Sequence, residues 1–156
     1  DPARFKMSPP LGSVADRQAL REAVAEGTIG AFATDHAPHT AESKALGFAG
    51  APFGVVGLET AVGITHSILV RDGHMPLGAW VDRWTTGPAR ILGRPAPSLR
   101  PGAIADVTLL DLDHEWTVDP ADFASRSRNT PFDGWLLQGR AVATIVGGAV
   151  VWEAAP

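Results

Sequence analysis

The alternation of apolar and polar positions divides the chain near Gly93. Residues 1–12 are extended and proline-rich, with Pro2, Pro9 and Pro10. Ser13 and Asp16 then stand three apart as a capping box, and Leu20, Ala23 and Val24 recur on one face, which predicts a helix that stops at Gly27. Thr28-Ile-Gly-Ala-Phe-Ala-Thr34 is apolar without polar alternation, the pattern of a strand buried on both faces. Residues 40–56 predict a long loop rich in Gly, Ala and Pro, of a length that tends to carry function. Leu58, Ala61, Val62 and Ile68 or Leu69 predict a second helix over 57–70. A third is expected over 77–92, bent near Gly87-Pro88. Beyond the linker-like Arg94-Pro-Ala-Pro97, strands are expected over 105–112, 115–118, 141–146 and 149–152. Gly147-Gly148 joins the last two as a hairpin. The first part thus reads as α/β and the tail as mostly β, with domains at 1–93 and 94–156.

Composition removes several chemistries. Lys and Arg total 13 against 17 Asp and Glu, a net charge of -4 without a basic block, which argues against binding a nucleic-acid backbone. No apolar run reaches the roughly 18 residues of a membrane helix. There is no Cys, which excludes thiolate chemistry and Cys-based zinc sites, and no Tyr, which excludes a phenol as acid, base or nucleophile. Any metal must be held by His, Asp, Glu or backbone oxygen. The chain starts at Asp1 with no signal-peptide pattern after it, and is expected to be a fragment.

The candidate chemistry lies in Asp35-His-Ala-Pro-His39, directly after the predicted strand. Catalytic groups of α/β barrels sit at the carboxyl ends of strands. A carboxylate there can bind a metal through one oxygen and accept a proton with the other, which suits metal-assisted hydrolysis. Such hydrolysis loses rate at low pH as the base protonates. Pro38 prevents a continuous helix through His36, so His36 and His39 need not face the same way. The plainer reading is that Asp35 caps the next segment and the histidines are polar loop residues; the strand before and the long loop after favour chemistry. One carboxylate and two imidazoles do not complete a zinc site, which wants three protein ligands. His66, His74 and His114 lack ligand spacing, so further ligands are expected outside this sequence. No G-x-S-x-G and no G-x-x-x-x-G-K-[ST] is present. The backbone amides near Phe53 and Gly54 could touch an anionic or amide substrate, or simply form a flexible lead into the second helix. Trp80, Trp84, Trp116, Trp135 and Trp152 read as packing residues.

These blocks resemble a known family. Phe5-Lys-Met-Ser-Pro-Pro-Leu11, Ala33-Thr-Asp-His-Ala-Pro-His39, Phe53-Gly-Val-Val-Gly-Leu-Glu-Thr60 and Ser125-Arg-Ser-Arg-Asn-Thr-Pro-Phe132 are similar to the dihydroorotases of the amidohydrolase superfamily. Pro88-Ala-Arg-Ile-Leu-Gly93 and Gly102-Ala-Ile-Ala-Asp106 extend the likeness over nearly the whole chain. The resemblance implies the C-terminal segment of a (β/α)8 barrel followed by a small β-sandwich domain. It implies a cytoplasmic zinc enzyme, with one or two ions, that interconverts N-carbamoyl-L-aspartate and dihydroorotate in de novo pyrimidine biosynthesis. Asp35 matches the metal-ligating aspartate that serves as general base or acid. His39 matches the histidine that contacts the substrate carboxylate, and Phe53 and Gly54 match the segment whose backbone meets the ring.

Two positions depart from that pattern. Ser8 falls where the family usually carries a substrate-binding Asn, and Gly12 replaces a common Arg. A serine keeps one hydroxyl but lacks the amide's paired donor and acceptor. The departures motivate a second reading, a non-catalytic relative partnering aspartate transcarbamoylase. A third is another cyclic amidohydrolase, an allantoinase or hydantoinase, and a fourth a stand-alone binding module. A homodimer is also expected for the parent. Since most metal ligands lie outside it, the 156-residue piece alone is expected to be inactive.

Overall fold

The computed structural model describes residues 2–154. A 3-10 turn, Pro2–Phe5, precedes helix α1, Val14–Glu26. Its start is set locally, as the spacing predicts. The Ser13 amide and hydroxyl both donate to Asp16 Oδ2 at 2.7 Å, and the Asp16 amide donates to Ser13 Oγ at 3.2 Å. These bonds hold the Asp16 carboxyl below its usual range. Gly27 takes φ +94° and ends the helix.

The expected strand over 28–34 does not form. Residues 31–40 have no regular structure. Phe32 donates its amide to the Arg83 carbonyl at 3.0 Å, and its ring packs on Trp84 at 5.0 Å. A parallel strand exists only as part of a ladder, and among the described residues none lies beside this stretch to extend one. The expected loop over 40–56 instead carries two one-turn helices, α2, Ala41–Lys44, and α3, Gly47–Gly50. Thr40 caps α2 by accepting the Ser43 amide at 3.2 Å.

The second expected helix begins later, as α4, Ala61–Thr65, and widens into a π-helical turn, His66–Arg71. The third is two helices, α5, Leu77–Trp84, and α6, Thr86–Ile91, broken at Thr85 and not at Gly87-Pro88. Thr85 Oγ1 donates to the Val81 carbonyl at 2.7 Å, taking the acceptor that the Thr85 amide would use in a continuous helix. That amide turns to the Asp82 carbonyl at 3.2 Å. Pro88 is tolerated because it sits in the first turn of α6, where no amide donor is needed.

The tail forms strands β1, Val107–Thr117, β2, Leu136–Val146, and β3, Ala149–Glu153, in one sheet of order β1-β2-β3. The two strands expected over 105–118 are one. The hairpin is as the sequence predicts: Val146 pairs with Ala149 across Gly147 and Gly148, both in the left-handed region at φ +56° and +84°. Among the described residues this three-stranded sheet stands without the second layer of a sandwich.

The chain separates into two compact units. One contains Asp1–Ala19, Ala33–Ala61 and Trp116–Leu137, with Val56, Thr60, Val118 and Thr130 fully buried. The other contains Leu20–Phe32, Val62–Glu115 and Gln138–Pro156. Its core is Val24, Leu69, Met75 and Trp80, with Phe32, Trp84, Leu110 and Leu112 packed around it. Trp80 satisfies its indole N–H on Thr65 Oγ1 at 2.9 Å. His66 is buried there, donating from Nδ1 to the Gln138 carbonyl at 3.0 Å, and is a core residue and not a ligand.

Candidate functional site

Asp35 ends the irregular stretch with φ +43°, the only non-glycine left-handed residue among those described. Asp tolerates this region better than most residues, and such conformations concentrate at functional sites. Its side chain is exposed and makes no hydrogen bond or ion pair with the described residues.

The next residues are locked to backbone. His36 Nδ1 accepts the amides of Gly57 and Leu58 at 3.2 and 3.4 Å, which places the ring proton of the neutral imidazole on Nε2. His39 Nε2 donates to the Phe53 carbonyl at 2.7 Å, leaving Nδ1 as its remaining ring nitrogen. The two histidines thus do different jobs, as Pro38 between them allows. Gly54 takes φ +117°, and a Cβ there would stand 2.4 Å from Ala37 Cβ and 3.3 Å from His39 Nε2. Only glycine lets these segments approach so closely. Asn129 is the hub of the cluster. Its side-chain oxygen accepts the His39 amide at 3.1 Å, and its Nδ2 donates to the carbonyls of Ala37 and Gly54 at 3.0 and 3.3 Å.

Two buried lysines hold the same segment. Lys6 Nζ donates to the Ala49 carbonyl at 3.1 Å and lies 4.6 Å from the Phe53 ring centroid. Lys44 Nζ donates to the carbonyls of Pro52 and Gly54, both at 3.1 Å. Burial pushes the Lys44 ammonium below its ordinary 10.5, and the Lys6 charge adds to the effect. The unfolded chain therefore binds more protons just below pH 10.5, so stability rises as pH climbs through that window. Lys44→Gln, which keeps a donor without the charge, is expected to flatten this rise. Denaturant midpoints for both proteins at stepped pH check it; equal slopes would remove Lys44 as the cause.

A family model, described as the amidohydrolase family, matches residues 11–151. The chain belongs to the amidohydrolase family. The dihydroorotase of Halalkalibacterium halodurans is 52 % identical to this amidohydrolase chain over 151 residues, covering 97 % of it. That of Pelotomaculum thermopropionicum is 55 % identical over 149 residues. The chain spans 35 % of the length of each. Among solved structures, the L-hydantoinase (dihydropyrimidinase) of Arthrobacter aurescens is similar with a TM-score of 0.89 and 32 % identity, covering 99 % of this chain and 36 % of that one. A dihydropyrimidinase from Brevibacillus agri gives 0.89 at 27 % identity.

Amidohydrolases are generally metal-dependent. Among the described residues no three His, Cys, Asp or Glu side chains converge. His36 presents a protonated Nε2, while His39, with Nε2 held on the Phe53 carbonyl, keeps Nδ1 open. The Asp35 carboxylate makes no bond with the described residues, so Asp35 and at most His39 Nδ1 are available, short of the three ligands a zinc site wants.

Of the residues singled out from the sequence, His39, Phe53 and Gly54 are brought together, and Asp35 is tied to them only through the chain, two residues before Ala37. Ser8 is exposed and hydrogen-bonds to none of them. The Gly54 amide does reach that segment, donating to the Lys6 carbonyl at 2.9 Å. Sequence reasoning missed Asn129, Lys6 and Lys44. Asn129 lies in the family-like block 125–132 with nothing local to give it a role, and neither lysine has a neighbour in sequence that marks it as buried.

Proposed function

We propose that this chain is part of a dihydroorotase, a zinc-dependent hydrolase of cyclic amides that interconverts dihydroorotate and N-carbamoyl-L-aspartate in de novo pyrimidine biosynthesis. The observation that carries the reading is an open, left-handed Asp35 beside the His39–Phe53–Gly54 cluster, in an amidohydrolase chain 50–55 % identical to dihydroorotases. Residues 1–93 are assigned to the last strand and helices of a barrel, with 28–34 pairing as a strand only beside barrel strands outside this chain, and 94–156 to a β-sandwich portion, which holds the three strands of the described residues. The setting is cytoplasmic.

In this reading Asp35 takes the proton of the attacking water and returns it to the ring nitrogen as the amide C–N bond breaks, leaving a carboxylate and a ureido group. Asp35 also offers one oxygen to zinc, with the other ligands supplied from outside these residues. The chemistry zinc supplies when bound is Lewis-acid activation. His39 meets the substrate carboxylate through Nδ1, since Nε2 is held on Phe53. The backbone of Phe53 and Gly54 meets the ring, and Ser8 donates one hydrogen bond where an amide would make two.

A hydantoinase is the second reading, favoured by the likeness to the Arthrobacter aurescens structure, at lower identity. Turnover of dihydroorotate, hydantoin and allantoin by the protein that carries this chain separates the two. Dihydroorotate is expected to be hydrolysed best, with activity removed by a chelator and restored by zinc. Hydrolysis of hydantoin alone, or indifference to chelation, would overturn the proposal.

A further inference from the structure

The cavity beside His39 is cationic in a chain that is not. Net charge is -4, yet a cavity of about 670 Å³ is lined by Arg4, Lys44, Arg126 and Arg128 beside His39, with Asp133 as its one carboxylate among the described residues. Asp133 is committed to Arg4 at 3.5 Å. Lys44 meets only carbonyls, and Arg128 Nη1 donates to the Ser125 carbonyl, so among the described residues neither charge is neutralised. Arg126 makes no hydrogen bond or ion pair with the described residues. Three uncompensated positive charges therefore face a volume of small-molecule size. Arg126 and Arg128 are exposed, where a planar guanidinium can collect a carboxylate from solvent.

We propose that Arg126 and Arg128 form a capture site for carboxylate-bearing substrates, delivering them to His39 and selecting anionic cyclic amides over neutral ones. The inference rests on His39 belonging to the substrate site. Fields of this kind act on the rate of encounter and fade with salt, because screening shortens from about 10 Å at 0.1 M to roughly 3 Å at 1 M.

The test is Arg126→Gln/Arg128→Gln in the protein that carries this chain, with Arg126→Lys/Arg128→Lys as the charge-keeping control. At low salt kcat/KM is expected to fall about 10-fold with kcat unchanged. The loss should be larger for N-carbamoyl-aspartate, with two carboxylates, than for dihydroorotate, with one, and should close as NaCl is raised. The lysine variant should recover most of it. Calorimetry with succinate gives a readout independent of turnover: binding is expected to weaken about 10-fold in the glutamine variant. Equal kcat/KM, or equal succinate affinity, in wild type and glutamine variant would overturn the capture site. A wild type that does not turn over dihydroorotate, but whose succinate binding needs the arginines, would overturn the hydrolase reading and leave the capture site standing.

Discussion

On the proposed reading of Asp35 as general base and metal ligand, Asp35→Asn is expected to lower turnover by about 10³-fold or more, the upper part of the range for loss of a general base. Asparagine is isosteric and accepts the left-handed backbone at φ +43°. The carboxylate makes no bond with the described residues. Stability should therefore change by no more than about 0.5 kcal/mol, which separates a chemical defect from a folding one. Steady-state kinetics, metal content and thermal unfolding of the same samples give the three readouts. Unchanged turnover would show that Asp35 is neither ligand nor proton carrier. Asp35→Ala should add a stability cost of about 1 kcal/mol, since alanine lacks the side chain that eases this conformation.

Gly54→Ala should be the most damaging small change near the site. The new methyl would stand 2.4 Å from Ala37 Cβ, on a backbone at φ +117° that side chains rarely adopt. Backbone strain of about 1–3 kcal/mol and overpacking of about 1–3 kcal/mol act together. We expect a loss of roughly 3 kcal/mol or more, with substrate affinity reduced because His39 Nε2 is also displaced. Adding Ala37→Gly removes the overlap but not the strain, so the double variant should recover only part of the loss. Full recovery would assign the whole effect to the methyl–methyl contact. No loss in the single variant would mean that the segments approach less closely than this.

How much was legible depended on how far apart the partners lie. The Ser13–Asp16 cap and the Gly147-Gly148 turn were readable because each closes within a few residues, so local identities set the geometry. Asp35 and His39 were readable as a spacing of chemical groups, and Gly54 through the likeness of residues 53–60 to dihydroorotases. Their conformations were not: nothing in the order of residues shows that Asp35 is left-handed or that His39 spends Nε2 on Phe53.

Residue identities alone carry the α/β class, the start and end of α1, the last hairpin and the likeness to amidohydrolases. Tertiary packing leaves residues 28–34 without a strand, since a strand is defined by the neighbour it pairs with. It alone buried Lys6 and Lys44, whose charges are tolerated because carbonyls on another segment receive them; for Lys6 that acceptor is 43 residues away. Asn129 became the centre of the site through bonds to residues 75 to 92 positions distant. Such partners leave no trace in a local pattern, because closing the chain over that distance depends on all the packing in between.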